Sequence, residues 1–510
     1  MIKKIFQQAV DAFEERTGLI KFFNDVMKHP VPPNTGWWYV FGSAVLVAFM
    51  MQVVTGIALA TRYVAASGNA YQALEFITYR AVLGNFLRGM HFFGASAMIL
   101  LVGIHMIQVF LMGCYKYPRE FNWVSGVCLL FITIAMGFSG QLLRWDQTAV
   151  WATVLAAEML GRTPLIGKYL ARFLLGGNTL GGATLSRFFA FHVFFLPAMI
   201  FAFVGLHLYL VIHDGISAPP MPGAKVNPKT YRAEYEKLLE EHGVSFWPDA
   251  AWRDVVVAVG VVLTVAALAF FVGPPELGKP PNPSLLANDP SPDWYMLWYY
   301  AVLALLPRGM ESVFMIAAPL SAIVFLLLVP VLWNKGERHP SRRPWAVAAV
   351  LMIVLTIVGF WIEGSIAPWS PRFDAKPLSA ALVGTTAAPI VNGAQLFHDK
   401  GCEFCHTIDG QGGMRGPDLT LVANRLSVND LRIKIANGGS NMPSFAGILT
   451  HDELDNLVTF LESRTTMPPG RTSRATGVAP APALASAHAA APLTPLTQSA
   501  SARDAATSRP

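Results

Sequence analysis

Long apolar runs separated by shorter polar loops fill most of the chain. Seven of them, at about 37–61, 90–113, 124–143, 190–213, 254–273, 312–333 and 345–364, reach the roughly 17–25 residues that a helix needs to cross a bilayer. The apolar stretch 295–306 is shorter and stops at Pro307, which suits a re-entrant or surface helix. The region 150–175, broken by Thr163, Pro164 and Gly167, reads as extramembrane helices. Residues 1–31 lack an apolar core ahead of a small-residue cleavage site, so they predict a short amphipathic helix carrying Lys3, Lys4, Arg16 and Lys21 instead of a signal peptide. Residues 465–510 are Ala, Pro, Ser and Thr with almost no large apolar side chains, and predict a disordered tail.

Composition supports a membrane protein, with 53% hydrophobic and 14% charged residues. Lys and Arg are unevenly shared between the two sets of loops: sixteen lie in the N-terminal arm and the loops 114–123, 214–253 and 334–344, and ten on the other side. The richer side is expected to be cytoplasmic. Seven spans then carry everything after about residue 365 to the periplasm. The net charge of +6 forms no compact basic patch, so nothing points to nucleic acid. Of four cysteines, Cys114 and Cys128 read as free thiols in a reducing compartment.

Cys402 and Cys405 belong to Gly-Cys-Glu-Phe-Cys-His at 401–406, the CxxCH attachment signature of c-type haem. The two thiols would form thioethers, and His406 would bind iron. A zinc knuckle would need a second cysteine pair, which the chain lacks. Met442, 36 residues after His406, resembles the Met-Pro axial ligand of class I cytochromes c, with Met414 as its one nearby rival. Residues 393–400 and 452–463 suit that family's first and last helices, the latter with Leu454, Leu457 and Leu461 as a buried stripe. The turn Gly416-Pro417-Asp418-Leu419 suits the backbone partner of the proximal histidine. Covalent c haem is a periplasmic feature, the side that the span count reaches independently.

Four of the twelve histidines fall inside predicted spans: His91 and His105 in the second, His192 and His207 in the fourth. A buried intramembrane ionisable group is costly without a task. Fourteen residues advance a helix about 21 Å and return within about 40° of the same face; fifteen miss by about 60°. Each helix therefore presents one imidazole near each side of the hydrocarbon slab. Pairing His91 with His192 and His105 with His207 gives two bis-histidine b-haem sites about 20 Å apart. Gly42 and Gly56 in the first span, and Gly126 and Gly140 in the third, repeat the fourteen-residue interval, where a missing side chain admits a haem plane close to the backbone.

These features resemble cytochrome b of the cytochrome bc complexes over about residues 30–365, followed by a class I cytochrome c domain. The resemblance implies an all-α membrane protein with a four-helix dihaem core, three further spans like a fused subunit IV, and a small all-α cytochrome c domain. The corresponding boundaries are an amphipathic helix at 1–31, the haem-binding core at 32–217, a cytoplasmic linker at 218–253, the three-span region at 254–366, a linker at 367–387, the c domain at 388–464 and the tail. The fifteen-residue interval in the fourth span is similar to chloroplast-type proteins. Two departures stand out. Where that type attaches an extra haem through cysteine, this chain has Val40, so no such haem is expected. Where the family often has a Pro-Trp turn, it has Arg144-Trp145. Arg88 and Arg187 are placed to meet propionates of the periplasmic haem, with Arg144 as a further candidate.

By the same resemblance Pro292-Asp293-Trp294-Tyr295 is similar to the Pro-Glu-Trp-Tyr motif of the quinol oxidation site, in an Asp-containing form. Asp293 would accept a quinol proton and Tyr295 would hydrogen-bond nearby, with Gly140, Trp145 and the 150–160 helix lining the cavity. On the cytoplasmic side His213 matches a quinone-contacting histidine of mitochondrial-type relatives, and Asp254 or Asp249 would supply the proton-donating carboxylate. A bifurcating quinol:cytochrome c oxidoreductase follows, needing a separate Rieske iron-sulfur protein, working as a homodimer, and passing electrons to a cytochrome c or terminal oxidase. Two alternatives remain at this stage: a dihaem membrane anchor that conducts quinol electrons linearly through its c domain, and a transporter using the histidines as proton relays. Whether the quinone is menaquinone or ubiquinone is not legible.

Overall fold

A computed structural model describes residues 2–281, 292–307, 310–367, 375–414, 416–438, 442 and 445–465. The predicted tail at 465–510 lies, after Thr465, outside the described residues. Seven helices are long and apolar enough to cross a membrane: Phe41–Ala60, Gly84–Leu111, Glu120–Leu142, Gly182–Asp214, Trp252–Phe271, Met310–Leu332 and Pro344–Ile366. Trp294–Leu305 is a shorter apolar helix, and Gln147–Gly161 and Gly167–Leu175 lie in the loop between the third and fourth spans. The expected N-terminal helix is two helices, Ile2–Thr17 and Leu19–Met27, because Gly18 takes a left-handed φ of +62° between them. Glu14 caps the second, accepting from the Ile20 and Lys21 amides at 2.7 and 3.0 Å. Neither helix has a buried residue, and Phe6, Phe13, Phe22 and Phe23 are exposed, as suits a helix lying on a membrane surface.

The first span packs along the second, the third along the fourth, and the fifth covers the first two. Small residues set the closest approaches: a Cβ on Gly89 would stand 3.0 Å from that of Ala269. Ala48, Phe49, Met98, Val102, Ile132 and Ile200 form an apolar layer in the middle of the first four spans.

Two short antiparallel pairs, Pro30–Val31 with Val244–Ser245 and Lys225–Val226 with Gly336–Glu337, tie the basic loops together on one face. Buried cations complete that face by binding helix C-termini, where unpaired carbonyls and the helix dipole favour positive charge. Arg343 donates to Phe110 and Leu111 O at the end of the second span. Arg119 donates to Asp214 and Gly215 O at the end of the fourth, and Lys116 to Trp333 and Lys335 O just past the sixth. The loops of the opposite face bind one another likewise: Tyr63 donates to Leu143 O, Tyr71 to Gly278 O, and the Gln147 amide to Lys279 O. The span order thus alternates as a seven-span count requires.

The C-terminal domain packs helices Ala388–Asp399, Val428–Asn437 and His451–Glu462 around Phe397, Leu431, Leu457 and Phe460. Leu378 and Val383, within the stretch read as linker, are buried in this core. Arg464 fastens them there: it donates to Leu382 O at 2.6 Å and Val383 O at 3.0 Å and lies over the Phe460 ring.

Candidate functional site

The structure brings His91 to face His192, and places His105 and His207 on the wall of one cavity. The ring centres of His91 and His192 lie 6.2 Å apart with planes at 79°. A metal bound at about 2 Å to a nitrogen of each ring would hold the centres about 6 Å apart. Each glycine backs one imidazole. A Cβ on Gly56 would meet His91 Cε1 at 3.2 Å, on Gly140 His192 at 2.7 Å, on Gly42 His105 at 3.3 Å, and on Gly126 His207 at 3.6 Å. The missing side chains therefore seat the rings themselves against the neighbouring helix.

Three hydroxyls orient the rings, and the sequence reading had not singled them out. Thr55 is 2.9 Å from His91 Nδ1, Ser125 2.8 Å from His207 Nδ1 and Ser139 3.1 Å from His192 Nδ1. Each hydroxyl already donates to a carbonyl of its own helix, at Met51, Asn122 and Met136, so its oxygen is left to accept Nδ1–H. That tautomer leaves the Nε2 lone pair free for a metal. The signal was present: all three hydroxyl residues directly precede a ring-backing glycine. Phe41 precedes the fourth glycine, and His105 Nδ1 is buried with no hydrogen-bond partner among the described residues.

The fifteen-residue interval of the fourth span has a local resolution. Phe191–Phe195, which contains His192, is a π-helical turn. Its i→i+5 bonds absorb one residue more than an α turn, so His192 and His207 return to the phase of a fourteen-residue α-helical interval. Among the described residues no trio of His, Cys, Asp or Glu is placed to hold a bare ion. Two-histidine sites fit a metal that brings its own equatorial ligands, as a haem does.

In the C-terminal domain His406 Nδ1 donates to Pro417 O at 2.8 Å, leaving Nε2 for iron, and burial holds its protonation below the usual histidine range. A Cβ on Gly416 would stand 2.5 Å from the His406 ring. Met442 packs against the core while Met414 is 55% exposed. Cys402 and Cys405 flank a tight turn at Cys402–Phe404. Between them Glu403 is buried and pairs with His398, a contact absent from the sequence reading.

At the opposite membrane face from the basic loops, Pro292, Asp293, Trp294 and Tyr295 sit against the second and third spans. Trp294 Nε1 donates to Ser96 Oγ at 3.2 Å, and the Tyr295 hydroxyl lies against Gly137. Burial raises the Asp293 carboxyl above its usual range; Arg144 opposes that shift and Asp146 adds to it. Arg88 is buried and donates to Pro275 O and Thr78 Oγ1, while Arg187 is exposed and donates to Phe173 O.

His105 and His207 open onto a cavity of about 430 Å³, apolar in the middle and polar toward the basic loops, where Ser43, Arg253 and Asp254 line it. Ser43 Oγ and Asp254 Oδ1 are 2.5 Å apart. His213 is off this wall: its side chain is half-exposed and bonds Asp214 at 3.1 Å. Asp249 is exposed, so of the two aspartates only Asp254 faces the cavity.

Comparison with known proteins agrees with this arrangement. Residues 26–215 match the family profile "Cytochrome b/b6/petB", residues 280–382 match "Cytochrome b(C-terminal)/b6/petD", and residues 390–465 match "Cytochrome c". The menaquinol:cytochrome c reductase cytochrome b subunit of Bacillus subtilis is 36% identical over 227 residues, 43% of this chain and 100% of that protein. Cytochrome b of Rhodobacter capsulatus is 30% identical, over 68% of this chain and 86% of the relative, and that of Cereibacter sphaeroides 31%, over 68% and 84%. A solved structure titled "Hyperthermophilic respiratory Complex III" superposes with a TM-score of 0.60 at 26% identity, covering 70% of this chain and 91% of its own. The chain belongs to the cytochrome b family of bc-type complexes, is fused at its C-terminus to a cytochrome c domain, and is a multi-pass membrane subunit of an electron-transferring oxidoreductase.

Proposed function

We propose that this chain is the cytochrome b and c subunit of a quinol:cytochrome c oxidoreductase that sends the two electrons of quinol along two routes. His91 with His192 and His105 with His207 hold two b-type haems, and Cys402, Cys405, His406 and Met442 hold one c-type haem. Bound there, these groups supply one-electron carriers, two in the membrane and one in the soluble domain. Quinol is oxidised at Pro292-Asp293-Trp294-Tyr295, giving quinone, two electrons and two protons. The Asp293 carboxylate accepts one proton and Tyr295 orients the substrate oxygen. The other proton and the first electron leave with a Rieske iron-sulfur protein, a separate polypeptide, toward the fused c domain and a further cytochrome c or terminal oxidase. In the cavity beside His105 and His207, Asp254, held by Ser43, hands a proton to quinone as it is reduced. The basic face is cytoplasmic, the c domain is periplasmic, and the working assembly is a dimer.

One observation carries this reading: two imidazole pairs stand at opposite ends of the same two spans, three rings locked with Nε2 free. The test is rapid mixing of the solubilised native complex with quinol, with the cytoplasmic-side quinone cavity inhibited and b-haem absorbance followed through an oxidant pulse. Transient b-haem reduction that requires the oxidant is the expected result. Ready reduction without oxidant, followed by reoxidation through the c haem, would make the chain a linear dihaem conduit.

A further inference from the structure

Thr55, Ser125 and Ser139 are buried, so the bond each hydroxyl makes to a histidine ring is shielded from water. The three are shared unequally between the two ends of the bundle. At the end where Gly56 and Gly140 back the rings, both imidazoles have one: Thr55 Oγ1 is 2.9 Å from His91 Nδ1, and Ser139 Oγ is 3.1 Å from His192 Nδ1. At the cavity end His207 has one, with Ser125 Oγ 2.8 Å from its Nδ1. His105 Nδ1 is buried with no hydrogen-bond partner among the described residues. Gln108, one turn further on and lining the same cavity, donates its amide N–H to Met112 Sδ at 3.1 Å.

A hydroxyl oxygen that accepts Nδ1–H also changes the other ring nitrogen. It draws the shared proton toward itself, leaves more electron density on Nε2 and makes that nitrogen a stronger donor to a metal. A stronger donor favours the more highly charged, oxidised state of a one-electron centre and so lowers its potential. Ser and Thr do this without placing a net charge in the membrane, where one would be costly. The hydroxyls cannot turn round to donate to the rings, because their own protons are committed to Met51, Asn122 and Met136 O.

We propose that Thr55, Ser125 and Ser139 set redox potentials as well as ring orientation: two hydroxyls hold the His91/His192 site below the potential its imidazoles alone would give, and one does so at the His105/His207 site. The proposal rests on the reading of these four histidines as haem ligands. The three hydroxyl residues are positioning residues that act through the histidines. Each site gains or loses one electron, and every Nδ1 proton stays on its ring. By this count the site on the Tyr295 side, where Gly137 and Gly140 follow one another along the third span, holds its electron less firmly. The site on the wall of the cavity holds its electron more firmly.

The test is an equilibrium redox titration of the purified complex, in which b-haem absorbance gives each component's midpoint whatever the turnover rate. T55V, which keeps the side-chain shape, and S139A raise the midpoint of one and the same b-haem component, and S125A raises the other. T55S, which keeps the acceptor, and Q108L leave both in place. Losing one such bond is expected to raise the ratio of reduced to oxidised haem at a fixed solution potential by about threefold to tenfold, a shift of about 30 to 60 mV for one electron. T55V and S139A complexes with both components at the parental midpoints overturn the proposal. So does loss of the component from both variants while T55S keeps it, because the hydroxyls then only anchor the rings. A midpoint moved by Q108L overturns the unequal count. If H91L keeps both b-haem components, the histidines do not hold haem and the underlying reading falls too; if H91L loses one while T55V and S139A leave the midpoints unmoved, only the role of the hydroxyls falls.

Discussion

At the scale of single residues, the glycines that back the four imidazoles differ in how much space they lack. The clearance of an added Cβ from its histidine runs from 2.7 Å at Gly140 through 3.2 Å at Gly56 and 3.3 Å at Gly42 to 3.6 Å at Gly126. Contacts under 3.0 Å force the ring to move, whereas 3.6 Å is ordinary van der Waals contact. Alanine at 140 is therefore expected to cost most of the His91/His192 b-haem signal, alanine at 56 or 42 part of the affected site, and alanine at 126 little, as read from redox difference spectra. The histidines and glycines were legible because their intervals, fourteen residues in three spans and fifteen in the fourth, are a near-geometric repeat. The hydroxyls of Thr55, Ser125 and Ser139 were not, because a Ser or Thr inside an apolar helix is ordinarily satisfied by its own backbone. Here it is so satisfied, and the spare oxygen lone pair does the orienting. His213 shows the reverse case: a motif match by position, whose side chain the helix end turns toward Asp214 and away from the cavity.

At the scale of elements, the π turn around His192 makes a one-residue deletion informative. Deleting lipid-exposed Phe194 lets the turn revert to α-helix with the two histidines still in phase, so both b haems are expected to survive. Deleting exposed Leu100 between His91 and His105, where the second span is α-helical throughout, rotates one imidazole by about 100° and should lose a haem. The basic loop residues tell a related story. In the sequence, Lys116, Arg119, Arg338 and Arg343 only marked a side of the membrane. In the structure they are buried, and three of them hold the C-terminal ends of spans two, four and six. R343A should leave the Phe110 and Leu111 carbonyls without this donor and destabilise the bundle by about 3 kcal/mol, seen as earlier thermal loss of the b-haem spectrum.

At the scale of the whole molecule, the seven spans and the C-terminal domain were readable because apolar length and a CxxCH motif are local signals. The start of the C-terminal core was not: Leu378 and Val383 are ordinary apolar residues in a Pro- and Ala-containing stretch, and only the Arg464 contacts place them. A haem-loaded fragment beginning at Lys376 is expected to melt several degrees above one beginning at Ala388, since the shorter fragment removes both buried side chains and the carbonyls that Arg464 binds.

That anchoring also shortens the chain left between membrane and domain. From Ala367 to Pro377 only eleven residues join the last span to the first core residue, Leu378, a reach of at most about 40 Å. The soluble domain cannot diffuse away as a free carrier protein does. A tether of this length corresponds to a local concentration on the order of millimolar, so on the proposed route a donor docked on the membrane portion would meet its next carrier as a unimolecular event, at a rate that dilution of the complex leaves unchanged.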